Sequence, residues 1–326
     1  MEYIRILKYL VQKNVSSVFS GKSQQKLNSV DMDGIVNFLA ETNEVIVMTG
    51  AGISTNANIP DFRSESFGLY NRLQKYNLPH TTAVFTLKYF KENPAPFYDI
   101  AHEMYPVLQN AKPTITHYFI KLLDQKGKLL KHYTQNIDCL EELAGLEGKK
   151  TVQAHGHIKT GTCLGCQKSF DFKFLKDKVI KNEIPRCNEC SETIKPDVVL
   201  FGESLPKEFW NFTSDFSKCK LLIIIGTSLA VQPFAGLAGQ VDLNCPRVLI
   251  NRDQIGDSEM LGSFLTNLFH LNPEFGSTSN THRDVFLEGD CDKICLQLAE
   301  KLGWKEELLK LMDENNRNIE EKKSKI

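Results

Sequence analysis

Four of the nine cysteines fall in two C-x2-C pairs, Cys163/Cys166 and Cys187/Cys190, with 20 residues between the pairs. Two-residue spacing lets both thiolates of a pair face one point, and two such pairs close a tetrahedral four-thiolate shell around zinc. A closed shell leaves no position for water or substrate. The metal expected here, one Zn(2+) per chain, is therefore structural. The other five, Cys139, Cys219, Cys245, Cys291 and Cys295, are scattered among apolar neighbours. An odd count in this arrangement suits a reducing compartment, not a secreted disulfide framework. A zinc ribbon needs only roughly 45 residues, so most of this 326-residue chain must build something larger around it.

That larger part announces itself between Glu44 and Thr49, where the apolar run Val45 to Met48 reads as a buried strand. The strand runs directly into Gly50-Ala51-Gly52, and a helix start is expected at Ile53-Ser54. A strand, a tight glycine turn and a helix form the dinucleotide-binding opening of an α/β sheet. Further strands are expected at Leu129 to Tyr133, Leu221 to Ile225 and Val248 to Ile250, with helical patterns at His117 to Lys126 and Cys291 to Leu302. This alternation predicts an α/β fold built on a Rossmann-like, doubly wound parallel sheet, with ligands at the carboxyl ends of its strands. The dehydrogenase fingerprint is incomplete: position 55 is threonine, and no strand ending in an acidic residue follows about 20 residues on. Instead Pro60-Asp61-Phe62-Arg63 comes at once. The turn alone reads as a diphosphate site working through backbone N–H groups, with a purely structural tight turn as the alternative.

Two stretches do not fit the sheet. Residues 62–115, rich in aromatics and prolines, read as an inserted helical module, and residues 156–200, with the cysteines, as a second insertion. Residues 1–30 read as a partly ordered extension without the features of a signal peptide. Residues 313–326 read as a polar tail that frays into solvent. A formal net charge of −1 gives no overall field for nucleic acid or an anionic membrane, and no apolar run is long enough to span one. Lysines near the zinc pairs are balanced by Asp171, Asp177 and Glu183, so direct nucleic-acid binding is not expected.

His155, in Gln153-Ala154-His155-Gly156, follows a short strand. A lone histidine is more often packed or solvated than catalytic, so by itself it decides nothing. Gln135, Asn136 and Asp138 form a polar cluster at another strand end, suited either to loop capping or to holding an amide or ribose group.

Taken together these segments acquire a meaning. GAGIS with PDFRS, TQNID, AHGH, the two C-x2-C pairs, KPDVVLFGE, GTSL and LINRD occur in this order across residues 45–292. Their set resembles the sirtuins, NAD-dependent protein deacylases, and in particular the class I branch and its cytoplasmic type. The resemblance covers roughly residues 31–312. It implies a Rossmann-like domain (about 31–61, 116–155 and 201–312) and a smaller domain made of the zinc ribbon and the helical insertion. NAD is implied as a consumed co-substrate. Gly50, Ala51, Gly52, Thr55, Gly226, Thr227 and Ser228 would surround its adenosine and diphosphate. Asn251, Arg252 and Asp253 would meet the adenosine end, with Cys291 beside the adenine. Ser54, Asp61, Phe62, Arg63, Gln135, Asn136, Ile137 and Asp138 would frame the nicotinamide and its ribose. Phe62, Val199, Phe201, Gly202 and Glu203 would line the acyl-lysine channel and pair with the substrate backbone as an added strand. His155 would be the general base, assisted by Asn136.

The same resemblance implies acyl-lysine proteins as partners, histone tails and tubulin among them, and a cytoplasmic location with nuclear access. A monomer is favoured. Two positions depart from the family: Asn58 stands where glycine is usual, and His157 where a small hydroxyl or apolar residue is usual. Asparagine tolerates positive φ best after glycine, so the loop is expected to keep its shape. His157 reads as a solvated neighbour of the zinc module. A hydride-transferring dehydrogenase, a non-catalytic zinc adaptor and a mono-ADP-ribosyltransferase are the competing readings.

Overall fold

The computed structural model describes residues 25–60, 74–255 and 282–324. Its strands are β1 (Val45–Thr49), β2 (Leu129–Thr134), β3 (Thr151–Gln153), β4 (Gly156–Cys163), β5 (Ser169–Asp171), β6 (Ile194–Val198), β7 (Leu221–Ile225), β8 (Arg247–Asn251) and β9 (Asp284–Glu288). The principal helices are α1 (Met32–Glu41), α2 (Ala95–Asn110), α3 (Ile115–Gln125), α4 (Phe172–Val179), α5 (Cys291–Lys301) and α6 (Lys305–Ser324).

Six strands form one parallel sheet in the order β3-β2-β1-β7-β8-β9. Every residue of β1 and β7 is buried, because both faces of the sheet are covered. Alternate side chains divide between two cores. Val45, Val47, Leu221, Ile223 and Ile225 pack under α1, α3, α5 and α6. Ile46, Met48, Leu222 and Ile224 pack on the other face against Phe209, Phe212, Phe216 and Phe234. The chain leaves β1 towards β2 and β3, then crosses back to place β7 on the other side of β1. That reversal opens a crevice at the carboxyl ends of β1 and β7. The expected strands are all present, each within a residue or two of its expected bounds.

A separate antiparallel sheet, in the order β5-β4-β6, carries the cysteines. It shares its core with the preceding helical segment: Phe90, Tyr98 and Tyr105 pack with Ile158, Phe170, Leu175 and Ile194. Tyr98 donates its hydroxyl to the Ile194 carbonyl, and Tyr105 stacks on Phe172 at 5.4 Å. The two insertions thus form one smaller unit, as the resemblance implied.

Two expectations fail. No α-helix starts at Ile53; two single-turn 3-10 segments, Ala51–Ile53 and Thr55–Ala57, follow the glycine turn instead. The polar C-terminal stretch does not fray, since α6 continues through it to Ser324. Asn315 and Asn316 both hydrogen-bond the Tyr118 hydroxyl, Ile319 is buried, and Lys112 pairs with Glu320. Composition misled here because a helix needs only one anchoring stripe, and α3 supplies the surface for it.

Candidate active site

The glycine turn is shaped by close approach. A Cβ on Gly52 would lie 2.7 Å from the Cα of Gly226, which itself sits at φ +62. Gly50 N–H donates to the Ile225 carbonyl and Gly52 N–H to that of Gly226, while Ile53 and Ser54 N–H bond back into the turn. Most of the N–H groups expected to bind diphosphate are therefore already committed. The glycines serve to let the ends of β1 and β7 touch, and this brings Thr227 and Ser228 to the turn. Asn58 stands at φ 60, ψ 19, so the left-handed position expected of it is real.

One cavity of about 1120 Å³ opens at these strand ends and extends under the smaller unit. Gly50, Ala51, Gly52, Ser54 and Thr55 line it from β1, and Gln135, Asn136, Ile137 and Asp138 from the loop after β2. Gly226, Thr227 and Ser228 reach it after β7, Asn251, Arg252 and Asp253 after β8, and Cys291 from the start of α5. His155, Val199, Phe201, Gly202 and Glu203 line it from the other side. Every residue expected at the cofactor or substrate that is described meets the cavity. Asp61, Phe62 and Arg63 lie outside the described residues.

At the end expected to hold the nicotinamide, a chain of hydrogen bonds fixes the polar groups. The Thr134 hydroxyl accepts from Asn136 N–H at 3.0 Å, and Asn136 Nδ2 donates to Ser54 Oγ at 3.2 Å. Ser54 Oγ donates to Asp138 at 2.8 Å, and Leu140 N–H donates to the other Asp138 oxygen at 3.0 Å. Gln135 Nε2 donates to Thr227 Oγ1 at 2.7 Å and ties two strand ends together. His155 Nδ1 lies 3.1 Å from the Gln135 carbonyl, which can only accept. The ring proton therefore sits on Nδ1 and Nε2 is the basic nitrogen. Gly156 follows at φ +73, where a Cβ would lie 2.0 Å from the Asp197 carbonyl oxygen; only glycine lets β4 begin beside β6 there.

At the end expected to hold the adenosine, Arg252 pairs with Asp290 at 3.0 Å, and Asn251 Nδ2 bonds the Asp253 carbonyl at 2.8 Å. Burial pushes the Cys291 thiol up to about 12, so it meets a ligand as a neutral, soft surface.

The channel expectation needs correction. Phe201 N–H donates to the Phe85 carbonyl, and its own carbonyl accepts from Leu87 N–H. Its backbone is spent inside the protein, as are the N–H groups of Val199, Leu200 and Glu203, and Phe201 offers its half-exposed ring to the cavity. Glu203 folds inward: its carboxylate accepts from Leu200 N–H at 2.7 Å and lies 3.2 Å from the buried Lys195 ammonium. Lys195 also bonds the carbonyls of Pro196 and Val198, which makes it the clasp of this loop. Reading the sequence missed it, although a lysine between Ile194 and Pro196 in an apolar strand was a signal. His157 is only half-exposed, with a buried Nδ1, so it is not the solvated residue expected.

The sulfur atoms of Cys163, Cys166, Cys187 and Cys190 lie within 4.8 Å of one another. The Cys163–Cys190 and Cys166–Cys187 sulfurs are 3.3 and 3.5 Å apart. Tetrahedral zinc at about 2.3 Å from each sulfur needs separations near 3.8 Å, so the cluster fits the ion. Gly165 and Glu189 N–H point at Cys163 and Cys187 sulfurs, as thiolate ligands require.

The Sir2 family profile matches residues 50–233. The chain is 45% identical over 305 residues to the NAD-dependent protein deacetylase sirtuin-2 of Danio rerio, covering 92% of this chain and 79% of that one. The chain belongs to the Sir2 family. It is also 42% identical to the NAD-dependent protein deacetylase hst2 of Schizosaccharomyces pombe, over 93% of this chain and 83% of that protein. Against the NAD-dependent protein deacetylase sirtuin-3 of Mus musculus it is 42% identical, with coverage of 90% and 81%. The sirtuin resemblance seen in the motifs thus extends along nearly the whole chain, and its Rossmann-like sheet and smaller cysteine-bearing unit suit that family.

Proposed function

We propose that this sirtuin is an NAD-dependent protein-lysine deacylase. It moves the acyl group of an acyl-lysine side chain to the ADP-ribose part of NAD, releasing nicotinamide and free lysine. The observation that carries this reading is His155, its Nε2 basic and its Nδ1 anchored on Gln135, at the junction of the sheet crevice and the apolar lobe. His155 takes the proton from a ribose hydroxyl so that this oxygen can attack the acyl carbon. Asn136, Ser54 and Asp138 hold the carboxamide, and Asn136 assists at the ribose. Gly50 to Gly52, their N–H groups mostly spent in the fold, lie against the diphosphate with Thr55 and Gly226 to Ser228, and Asn251 to Asp253 with Cys291 hold the adenosine. Val199, Gly202 and Glu203 hold the peptide, and Phe201 covers the lysine stem. Zinc, where bound by the four thiolates, supplies folding energy to the smaller unit and takes no part in the reaction.

Acetyl-lysine in histone tails and tubulin are the substrates this reading favours, with a cytoplasmic location and access to the nucleus. Among the described residues no helix is long and apolar enough to cross a membrane.

The lobe beyond His155 is lined by Phe97, Ile100, Met104, Leu108, Ile137 and Leu200. Each methylene of a longer acyl chain buried there contributes roughly 0.8 kcal/mol, whereas an unpaired carboxylate would cost several kcal/mol. Tyr105 lines the lobe too, but no arginine accompanies it among the described residues. Acetyl and longer neutral acyl groups are therefore accepted and succinyl refused. The test is incubation with NAD and one peptide bearing acetyl, myristoyl or succinyl, with products identified by mass spectrometry. Free lysine with O-acyl-ADP-ribose is expected; NADH or an ADP-ribosylated peptide would overturn the reading, and efficient desuccinylation would overturn the account of the lobe.

A further inference from the structure

Beneath the nicotinamide end lies a polar cluster that the mechanism above does not use. Glu141 is 2% exposed, and neither of its carboxylate oxygens has a hydrogen-bond partner among the described residues. His117 is 1% exposed, with Nε2 equally without a partner. One nitrogen of His117 and one oxygen each of Asp138 and Glu141 lie within 4.8 Å of one another. Three such groups suggest a cation site, but the histidine excludes it. Thr114 N–H donates to His117 Nδ1 at 3.2 Å, and the Thr114 hydroxyl is spent on the Ile53 carbonyl. The ring proton is therefore on Nε2, and neither nitrogen has a lone pair to give a metal.

Two carboxylates this close in a buried place resist being ionised together, so near neutral pH they share a proton. The donors decide where it resides. Asp138 receives two hydrogen bonds, from Ser54 Oγ and Leu140 N–H, which favour its charged form. Glu141 receives no well-formed hydrogen bond; the Thr134 hydroxyl and its own N–H only approach it. We propose that Glu141, in its acid form, is a positioning residue that donates a hydrogen bond to Asp138 and so aims that carboxylate at the carboxamide of nicotinamide. The proposal rests on the reading of Asp138 as the carboxamide acceptor. Burial first, and then the charge of Asp138, hold the Glu141 carboxyl up at about 8, which agrees with the donor count. The groups facing it are Asp138, Cys139 and Glu142 on its own segment and His117 on α3, with His132 behind His117. Burial keeps both histidines neutral, at about 3, and the Cys139 thiol neutral, at about 12. Glu142 is paired with Lys159. Burial raises the Asp138 carboxyl as well, against the pull of its two donors, so it is the Asp138–Glu141 pair, with its proton on Glu141, whose charge changes just above neutral pH. Below that range the Asp138–Glu141 pair carries one negative charge; above it the pair carries two, which repel and turn Asp138 away.

Nicotinamide is the ligand to use, because it is neutral and reports hydrogen-bond geometry instead of net charge. The zinc-loaded full chain is assayed for exchange of labelled nicotinamide into NAD in the presence of acetyl-lysine peptide. Glu141→Ala is expected to raise the half-saturating nicotinamide concentration about tenfold, the worth of one hydrogen bond to a charged group, while peptide KM stays within about twofold. Glu141→Gln, whose amide can still donate, recovers most of that loss. Between about pH 7 and about pH 9.5 the wild-type value rises, whereas that of Glu141→Gln stays flat. Infrared spectra of the wild type at about pH 6.5, where exposed carboxyls are ionised, show one buried carboxylic-acid carbonyl band, lost by about pH 9.5 and absent from Glu141→Gln.

A missing band in the wild type overturns the proposal, as does a Glu141→Gln variant that is folded and as impaired as Glu141→Ala. Equal effects on nicotinamide and peptide would reduce Glu141 to a structural role and overturn it too. If Glu141→Ala does not fold, the wild-type band and the two pH profiles decide. Asp138→Ala separates the underlying reading: unchanged nicotinamide saturation there removes Asp138 as the carboxamide acceptor, and the positioning role with it, whatever the band shows about the proton.

Discussion

The large sheet and the small one are stabilised in different ways. The six-stranded sheet is packed on both faces, and its central strands are wholly buried. The three-stranded sheet has one small core, shared with the helical segment, and beyond it four sulfur atoms within 4.8 Å. Burial area grows with size, so a unit this small needs a staple. The cleft between them thus joins a wall packed on both faces to one whose small core ends in a four-thiolate cluster suited to zinc.

Removing the zinc tests this most severely. Structural zinc sites contribute on the order of 10 kcal/mol or more, so a strong chelator, or Cys187→Ala, should unfold the smaller unit and abolish deacylation. Hydrogen exchange should show amides of β4 and β6 exposed while those of β1 and β7 remain protected. Simultaneous exposure of both sheets would break the comparison.

His155→Ala should lower kcat by about 10²–10⁴-fold, the usual worth of a positioned general base. Zinc content should be unchanged and the melting temperature should move little, because the side chain is only partly buried. A variant with wild-type turnover would end the assignment of the base.

Arg247→Met reverses the zinc test. Arg247 and Asp284 form a buried pair at the start of β8 and β9, with Nε donating at 2.6 Å and side chains 4% and 1% exposed. Losing this close partner, with Arg283 remaining at 3.8 Å from Asp284, should cost up to about 3–5 kcal/mol, seen as a lower denaturant midpoint of the large domain with one zinc still bound. An unchanged midpoint would mean that the sheet's stability owes nothing to this pair.

The smallest effect is expected at Asn58, in the loop beside the crevice. Asn58→Gly should alter stability by only about a few tenths of a kcal/mol, while Asn58→Ala should cost about 1–2 kcal/mol from left-handed strain. Equal stabilities would show that the loop relaxes.

Much of this was legible beforehand. The strands were, because a two-sided parallel sheet demands continuous apolar runs such as Leu221 to Ile225. So were the zinc ligands, whose spacing is itself the chemistry. Helix α6 was not, since its sequence is polar on most sides and only contact with Tyr118 and its neighbours selects the helix. Nor was Cys139, which stands at φ 63 where nothing in its side chain favours that conformation.

Residue type and spacing were enough to specify the α/β class, the strands, the zinc module and the family, because each rests on a local pattern repeated in one dimension. The nearness of Glu141 to Asp138 and His117, the clasp of Lys195 on Glu203, and the use of the Gly50 and Gly52 N–H groups inside the fold required three dimensions. Protonation and hydrogen bonding depend on which groups burial forces together, and distance along the chain does not reveal that.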